Sequence, residues 1–195
     1  MAYPTGTEIK AVLAESAAVK MATADLHADA IIVAAQMIAD ALAQGGKLML
    51  CGNGGSAGDA QHIAAEFVAT LDHRRPRGGL AALALTTDTS FITAYANDFG
   101  FEGIFQRQVE ALGREGDVLI GISTSGNSAN VGAALEAART AGIKTIGFTG
   151  EGGGKLAPLS DMLFAVPSGK TMHIQESHIA LGHVLTMAVE QIMGY

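Results

Sequence analysis

His62 and Glu66 stand four residues apart in a segment with helical spacing of apolar residues, so both side chains project from one face of the helix. Such a pair can bind a metal ion or move a proton. A surface ion pair is the commoner use of this spacing, and it is worth only about 0.3–0.5 kcal/mol. The pair follows a glycine-rich loop within one or two turns, however, and that position favours a role as metal ligands or as an acid/base pair.

A second group of chemically capable side chains opens the last predicted helix. Between Gln175 and His183 the chain carries an amide, an acid and two histidines. In a continuous helix Gln175 and His183 are about 12 Å apart along the axis, an awkward separation for one metal ion with bonds of about 2.1 Å. Either the helix begins late or two subunits share the site. Ordinary helical histidines are an equally good interpretation of the spacing alone.

The loop Gly52–Gly58 lies between a predicted strand and a predicted helix and has the sequence GNGGSAG. Glycines let a ligand approach the backbone, and the free amides of a helix start attract an anion such as phosphate. The loop also spells G-x-G-x-x-A, a variant of the dinucleotide fingerprint, which requires an acid about 20 residues on at the end of a strand. Asp72 has that spacing but follows a helix, so NAD is disfavoured. No Lys-Ser or Lys-Thr follows the glycines, which excludes a Walker loop.

A hydroxyl-rich loop, Ser123–Ser128, again joins the carboxyl end of a strand to the start of a helix. Its hydroxyls and the helix amides can satisfy several phosphate oxygens without a cation. A helix-capping serine explains one of these residues but not the group. Since ligands of open α/β sheets bind at the carboxyl ends of strands, the two loops together predict a small phosphorylated ligand.

The elements that must position these groups alternate between strand and helix after Gly46. Strands are predicted at residues 47–51, 81–85, 117–123, 144–149 and 162–166, and helices at 57–70, 89–96, 101–112, 129–141 and 174–193. Residues 8–44 contain neither Gly nor Pro and predict two helices, with Asp25 or Asp29 capping the second and Gly45 ending it. A first helix outside the sheet would expose an apolar face unless another subunit covers it.

This alternation predicts one α/β domain over residues 1–195, a doubly wound parallel sheet flanked by helices. Residues 1–45 supply the N-terminal helices that pack in an oligomer. Residues 46–195 supply the parallel core and the C-terminal helix.

Composition limits the partners of the chain. Its 12 basic and 19 acidic residues give a net charge of −7, which disfavours nucleic acid and anionic membranes. The basic cluster Arg74–Arg77 is interpreted as a solvated turn. No apolar run approaches the roughly 20 residues of a membrane span, and the single Cys51 can form no internal disulfide, so a cytoplasmic protein is expected.

In order and spacing, these segments resemble the bacterial phosphoheptose isomerase family of the sugar-isomerase (SIS) domain group. The motifs that carry the resemblance are GNGGS followed by DAQHxxxE, NDFG at Asn97–Gly100, STSGNS and IQExHxxxxH. The resemblance runs over nearly the whole chain. It implies an SIS fold and the conversion of sedoheptulose 7-phosphate to D-glycero-D-manno-heptose 7-phosphate. It also implies a cytoplasmic homotetramer, with one zinc ion per subunit near the subunit interfaces.

Matching motifs also imply individual roles. The implied zinc ligands are His62, Glu66, Gln175 and His183, of which Glu66 and His183 are also the acid/base pair. The implied substrate contacts are Asn53, Gly54, Gly55, Ser56, Glu66, Asn97, Asp98, Ser123, Thr124, Ser125, Ser128 and Gln175. Two positions depart from the family pattern. Residues 170–173 read KTMH where an aspartate and a basic residue are usual, and Gly58 replaces an alanine.

Aldose–ketose isomerisation proceeds through an enediol and needs a base at carbon, for which the sequence offers Glu66. Two alternatives remain open at this point. A non-catalytic SIS protein that binds a sugar phosphate, or the bacterial replication initiator, would need the loops but no acid/base pair. An isomerase for aminosugar phosphates would differ only in the shape of its pocket.

Overall fold

A computed structural model describes residues 3–195, which form a five-stranded sheet flanked by six helices. The strands are β1 Leu48–Gly52, β2 Ala82–Ala84, β3 Val118–Ser123, β4 Lys144–Thr149 and β5 Met162–Ala165. The helices are α1 Gly6–Ala43, α2 Gly55–Val68, α3 Thr89–Phe99, α4 Ile104–Leu112, α5 Ala129–Thr140 and α6 Thr171–Ile192. Short 3-10 helices span Phe101–Gly103 and Gly154–Leu159.

All strand pairs are parallel, and the strand order is β2-β1-β3-β4-β5. Strands β1 and β3 are buried along their whole length because helices cover both faces of the sheet. Residues of α1, α2 and α6 form the core on one face, and residues of α4 and α5 form the core on the other. The predicted doubly wound parallel fold is therefore confirmed. The division at residues 45 and 46 stays a prediction.

The strand order reverses between β1 and β3, the position at which open α/β sheets bind ligands. The two loops singled out by sequence leave the carboxyl ends of these two strands. Asn53 in the first loop and Asn130 at the start of α5 exchange two side-chain hydrogen bonds of 2.8 Å. This amide pair joins the two loops at the ligand-binding edge.

The first helix corrects the prediction of two N-terminal helices. Helix α1 runs for 38 residues without a break, so Asp25 and Asp29 lie inside it and cap nothing. It starts at a capping box in which Thr5 accepts from the Glu8 amide and Glu8 accepts from the Thr5 amide. No Gly or Pro interrupts it, and His27 bonds to the Ala165 carbonyl at mid-length. It ends at Ala43, and Gly45 follows as the predicted stop, with a φ of +83°.

The expectation that no segment is apolar and long enough to cross a membrane is also wrong by those two measures. An 18-residue window of α1 has a mean hydropathy of 1.5, and 22% of that window is buried. The apolar character comes from alanines spread along the helix rather than from one continuous run. Length and composition are weak evidence for a membrane span, since core helices of soluble proteins have the same properties.

Candidate functional site

The glycine loop leads directly into α2 at the edge of the sheet. Helix α2 begins directly after Gly54, whose φ of +57° is a conformation that glycine adopts without strain. Among residues 3–195, no side chain caps this helix start. A small cleft of about 120 Å³ borders it, lined in part by Asn53, Gly54 and Phe101. An anion in this cleft would meet the positive end of the α2 dipole.

The hydroxyl loop brings three of its serines together. The Ser123 hydroxyl lies 2.8 Å from that of Ser128 and 3.3 Å from that of Ser125. The neighbouring Thr124 is held by its carbonyl, which accepts the Gly150 amide at 3.0 Å. The loop therefore presents hydroxyl donors beside the start of α5, which suits the oxygens of a phosphate.

Gly126 fixes the shape of the hydroxyl loop, and we expect Gly126→Ala to weaken phosphate binding. Its φ is +66°, and an added Cβ would overlap the Gly153 carbonyl oxygen and lie 2.6 Å from the Gly153 carbonyl carbon. Both contacts are with backbone, so the loop itself must move. Titration of the variant with inorganic phosphate should show affinity reduced about tenfold or more. Gly58→Ala, at a position with open space around it, is the control and should bind like wild type.

His62, Glu66 and His183 form one cluster between α2 and α6. The Nε2 atoms of the two histidines are 2.8 Å apart, and His62 Nε2 lies 3.5 Å from Glu66 Oε1. The ligand atoms of all three residues lie within 4.8 Å of one another. The structure thus brings together three residues that are up to 121 positions apart in sequence.

The cluster fits a zinc ion. Two imidazole nitrogens and a carboxylate are a ligand set of catalytic zinc sites, which leave a fourth position open. Ligands bonded at about 2.1 Å in a tetrahedron are about 3.4 Å apart, close to the separations of 2.8 and 3.5 Å seen here. Without a metal, the Nε2–H group of one imidazole donates a hydrogen bond to the Nε2 atom of the other.

The Gln175 side chain reaches α2 nearer to the start of that helix than His62 and Glu66 do. Helix α6 begins at Thr171, so it is continuous from Gln175 to His183, and a late helix start is excluded. The amide lies against the start of α2, where a Cβ on Gly55 would be 2.6 Å from the Gln175 side-chain carbonyl carbon. Only a glycine leaves room for it. The role of Gln175 as a zinc ligand stays a prediction.

Asp59 is a site residue that the sequence reasoning missed. It stands three residues before His62 on α2, is 8% exposed, and its Oδ2 has no hydrogen-bond partner among residues 3–195. Burial raises the pKa of this carboxyl group, although a hydrogen bond from Gln175 and the charge of His62 act in the opposite direction. Its spacing of three and seven residues from His62 and Glu66 was the signal that could have revealed it.

Asn97 and Asp98 lie exposed near the end of α3 and bond to each other, Asn97 Nδ2 donating to Asp98 Oδ1 at 2.8 Å. In the described part of the chain, no hydrogen bond joins either residue to the two loops. Their assignment as substrate contacts stays a prediction.

His178, the other histidine of this segment, has a structural position. It is fully buried on α6, and its Nε2 donates to the Thr149 carbonyl at 3.0 Å, which ties α6 to the end of β4. Burial lowers the pKa of His178 to about 4, against the hydrogen bond to Thr149, which raises it. The imidazole is therefore neutral in the folded protein at neutral pH.

We expect His178 to make folding sensitive to acid. Unfolded histidine binds a proton near pH 6.5, whereas the folded residue binds one only near pH 4. The stability present above pH 6.5 is therefore lost progressively as the pH falls towards 4, by about 2 kcal/mol between pH 7 and pH 5. Urea unfolding at both pH values checks this. His178→Gln keeps a hydrogen-bond donor but does not titrate. An equal loss of unfolding free energy between the two pH values in that variant would contradict the prediction.

An apolar groove of about 420 Å³ lies between α1 and α6 on the outside of the molecule. Its lining includes Ile31, Ile32, Leu181, Val184 and Met187. Ile32 is 60% exposed and Val184 is 43% exposed. This much exposed apolar surface is typical of a protein–protein interface.

Comparison with known proteins gives consistent matches. Residues 13–150 match the family model described as SIS domain. The phosphoheptose isomerase of Roseiflexus sp. (strain RS-1) is 55% identical over 175 residues, which cover 90% of this chain and 88% of that protein. The phosphoheptose isomerase of Aquifex aeolicus is 54% identical over 186 residues, which cover 95% of this chain and 96% of that protein.

Solved structures agree. A phosphoheptose isomerase from Neisseria gonorrhoeae superposes with a TM-score of 0.89 at 45% identity, covering 95% of this chain and 98% of that chain. A phosphoheptose isomerase from Francisella tularensis has a TM-score of 0.91 at 38% identity, covering 97% of this chain and all of that one.

Proposed function

Since this chain belongs to the phosphoheptose isomerase family of SIS-domain enzymes, we propose that it interconverts sedoheptulose 7-phosphate and D-glycero-D-manno-heptose 7-phosphate with the help of zinc. Membership of an enzyme family at this identity rules out the non-catalytic adaptor as the better interpretation. Two observations carry the substrate proposal: the His62–Glu66–His183 cluster, whose ligand atoms lie within 4.8 Å of one another, and the hydroxyl loop at the carboxyl end of β3.

Isomerisation moves a proton between neighbouring carbons of the open-chain sugar. Glu66 removes the proton from the carbon next to the carbonyl, and the electron pair of the broken C–H bond forms the enediol. Glu66 then returns the proton to the adjacent carbon. His183 lies beside Glu66 and moves the second proton between the two oxygens. The same carboxyl group serves both directions because the reaction is nearly symmetric about the enediol.

Zinc would be held by His62, Glu66 and His183, one ion per subunit, and by Gln175, which the family resemblance implies as the fourth ligand. When bound, it supplies Lewis-acid polarisation of the carbonyl and hydroxyl oxygens of the sugar. The Glu66 carboxylate would both hold the ion and act as the base.

The phosphate group of the substrate is assigned to the hydroxyl loop, with Ser123, Thr124, Ser125 and Ser128 as donors. These hydroxyls and the amides at the start of α5 are neutral donors, which can satisfy phosphate oxygens without a cation. Binding energy from this end of the sugar positions the reacting carbons at Glu66.

The apolar groove between α1 and α6 supports a homotetramer. We assign a second copy of this chain to it, because the groove is lined by apolar side chains of both helices that stay exposed in the single chain, such as Ile32 and Val184. Light scattering of the purified protein should give four times the chain mass of 19.9 kDa, and a monomer would overturn the assignment.

The single Cys51, buried and with its pKa raised by burial to about 12, is consistent with work in the reducing cytoplasm.

The experiment that tests the function is turnover of sedoheptulose 7-phosphate by the purified protein, with product identified by chromatography against an authentic standard. Protein treated with a chelator and then supplied with zinc forms the second arm. We expect turnover that is lost on metal removal and restored by zinc. Turnover of an aminosugar phosphate in preference to the heptose phosphate would overturn the substrate assignment.

A further inference from the structure

Arg77 does not behave as a residue of a solvated turn, which corrects the interpretation of the basic cluster. Arg74 and Arg75 are exposed, but the Arg77 side chain is only 1% exposed. It lies in the loop after α2 and points back at the end of that helix. A guanidinium buried to this extent is retained only where its charge and donors are matched.

The carboxyl end of α2 provides the first acceptors for the Arg77 guanidinium. Arg77 Nη2 donates to the Glu66 carbonyl at 2.9 Å, and Nη1 donates to the Phe67 carbonyl at 2.8 Å. Helix α2 ends at Val68, so these carbonyls have no partner within the helix. The positive charge also lies at the negative end of the helix dipole. One side chain therefore fixes the turn of α2 that carries Glu66.

Helix α6 provides the next acceptor for this guanidinium. Arg77 Nε donates to Glu190 Oε1 at 2.7 Å, and the same oxygen accepts the Leu71 amide at 3.2 Å. Glu190 is itself only 15% exposed. The ring of Tyr195 covers the guanidinium, with its centroid 5.9 Å from Cζ. The ion pair is shielded from water and so links the two helices with a defined geometry.

Glu190 and His183 share one face of α6, because they are seven residues, or two turns, apart. The ion pair therefore joins α2 to α6 about 10 Å along the helix from the His62–His183 contact. On α2, the Arg77 hydrogen bonds reach the residue that bears the catalytic carboxylate, through its carbonyl oxygen.

We propose that Arg77 is a positioning residue, which holds Glu66 on α2 at the correct distance from His183 on α6 by bonding the end of one helix to Glu190 on the other. The kinetic part of this inference rests on the proposed function. The geometric part does not, because it concerns the relation of His62 to His183 in the protein without substrate.

Four variants test this: Arg77→Met, Arg77→Lys, Glu190→Gln and, as a control for lost stability, Leu135→Ala. Leu135 is fully buried in the core on the opposite face of the sheet. The measurements are kcat and KM for the heptose phosphate, and the imidazole NMR resonances of His62 and His183 in metal-free protein. Thermal unfolding ranks the variants by stability.

We expect Arg77→Met to lower kcat about tenfold or more while KM changes less than about threefold, and to shift both imidazole resonances. Arg77→Lys should recover part of kcat, since an ammonium group reaches Glu190 but not both carbonyls. Glu190→Gln keeps the acceptor oxygen without the charge, so its kcat should lie between those of Arg77→Lys and wild type. Leu135→Ala should lose stability with kcat and both resonances unchanged.

Arg77→Met with wild-type kcat and unshifted imidazole resonances would make Arg77 a helix cap only and overturn the proposal. If Arg77→Met does not fold, Arg77→Lys and Glu190→Gln decide in the same way. If wild-type protein fails to turn over the heptose phosphate, the proposed function fails, and the imidazole resonances alone decide the positioning role.

Discussion

Replacing Glu66 by glutamine should lower kcat for the heptose phosphate by roughly 10²–10⁴-fold, the range over which a general base contributes. The amide has the size of the carboxylate and still forms hydrogen bonds, but it cannot accept a proton from carbon. KM should change little if phosphate binding at the hydroxyl loop is intact, because that loop contains no part of Glu66. Initial rates with zinc added in excess separate loss of the base from loss of metal.

The matched control is Glu136→Gln, which removes an exposed carboxylate on α5, away from the cluster. It should retain wild-type turnover. If Glu66→Gln retained turnover as well, with zinc present and the fold intact by circular dichroism, Glu66 would not be the base. Asp59, buried and with its pKa raised by burial, would then be the next carboxyl group to test.

Gly182→Ala should disrupt the same site from the other helix. A Cβ at Gly182 would lie 2.6 Å from Ile63 Cγ1, and Ile63 is fully buried, so the added methyl group has no free space. His183 directly follows Gly182 in sequence, and His62 directly precedes Ile63. These two histidines form the close imidazole pair. We therefore expect α6 to move away from α2, with stability reduced by about 1–3 kcal/mol and turnover reduced on the order of 100-fold.

A double-mutant cycle with Ile63→Ala distinguishes steric displacement from a general loss of stability. Ile63→Ala alone leaves a cavity and should cost about 2–5 kcal/mol. Combined with Gly182→Ala, it removes the atoms that the new methyl group meets. The double variant should therefore lose about 0.5–3 kcal/mol less unfolding free energy than the sum of the two single variants. Urea unfolding of the four proteins measures the offset. Strict additivity would show that the helices do not depend on close approach at this point.

Local sequence signals were enough to predict the framework of the site. All five strands lie within two residues of their predicted limits, because each is a short apolar run bounded by glycine or a hydroxyl-rich loop. The pairing of His62 with Glu66 followed from helical spacing alone. Both loops fell at the carboxyl ends of strands, as the βα alternation requires.

Partners far apart in sequence could not be predicted in this way. The burial of Arg77 depends on Glu190, which is 113 residues away, and a local reading of three nearby arginines gave a solvated turn. Gln175 could not be placed because its neighbour Gly55 is 120 residues earlier. The sequence analysis predicted two helices where α1 is continuous, because an alanine-rich helical sequence does not mark whether the helix is interrupted.

The packing of α1 against α6 joins the first helix of the chain to the last, and this order has a consequence for synthesis on the ribosome. Residues 44–170 must be made before α6 begins, which takes roughly 6–25 s at about 5–20 residues per second. During that interval Ile31, Ala34 and Ile38 of α1, buried in the finished fold, have no α6 to cover them. The nascent chain therefore exposes the apolar side of α1 before α6 exists, and rapid overexpression should favour aggregation through α1.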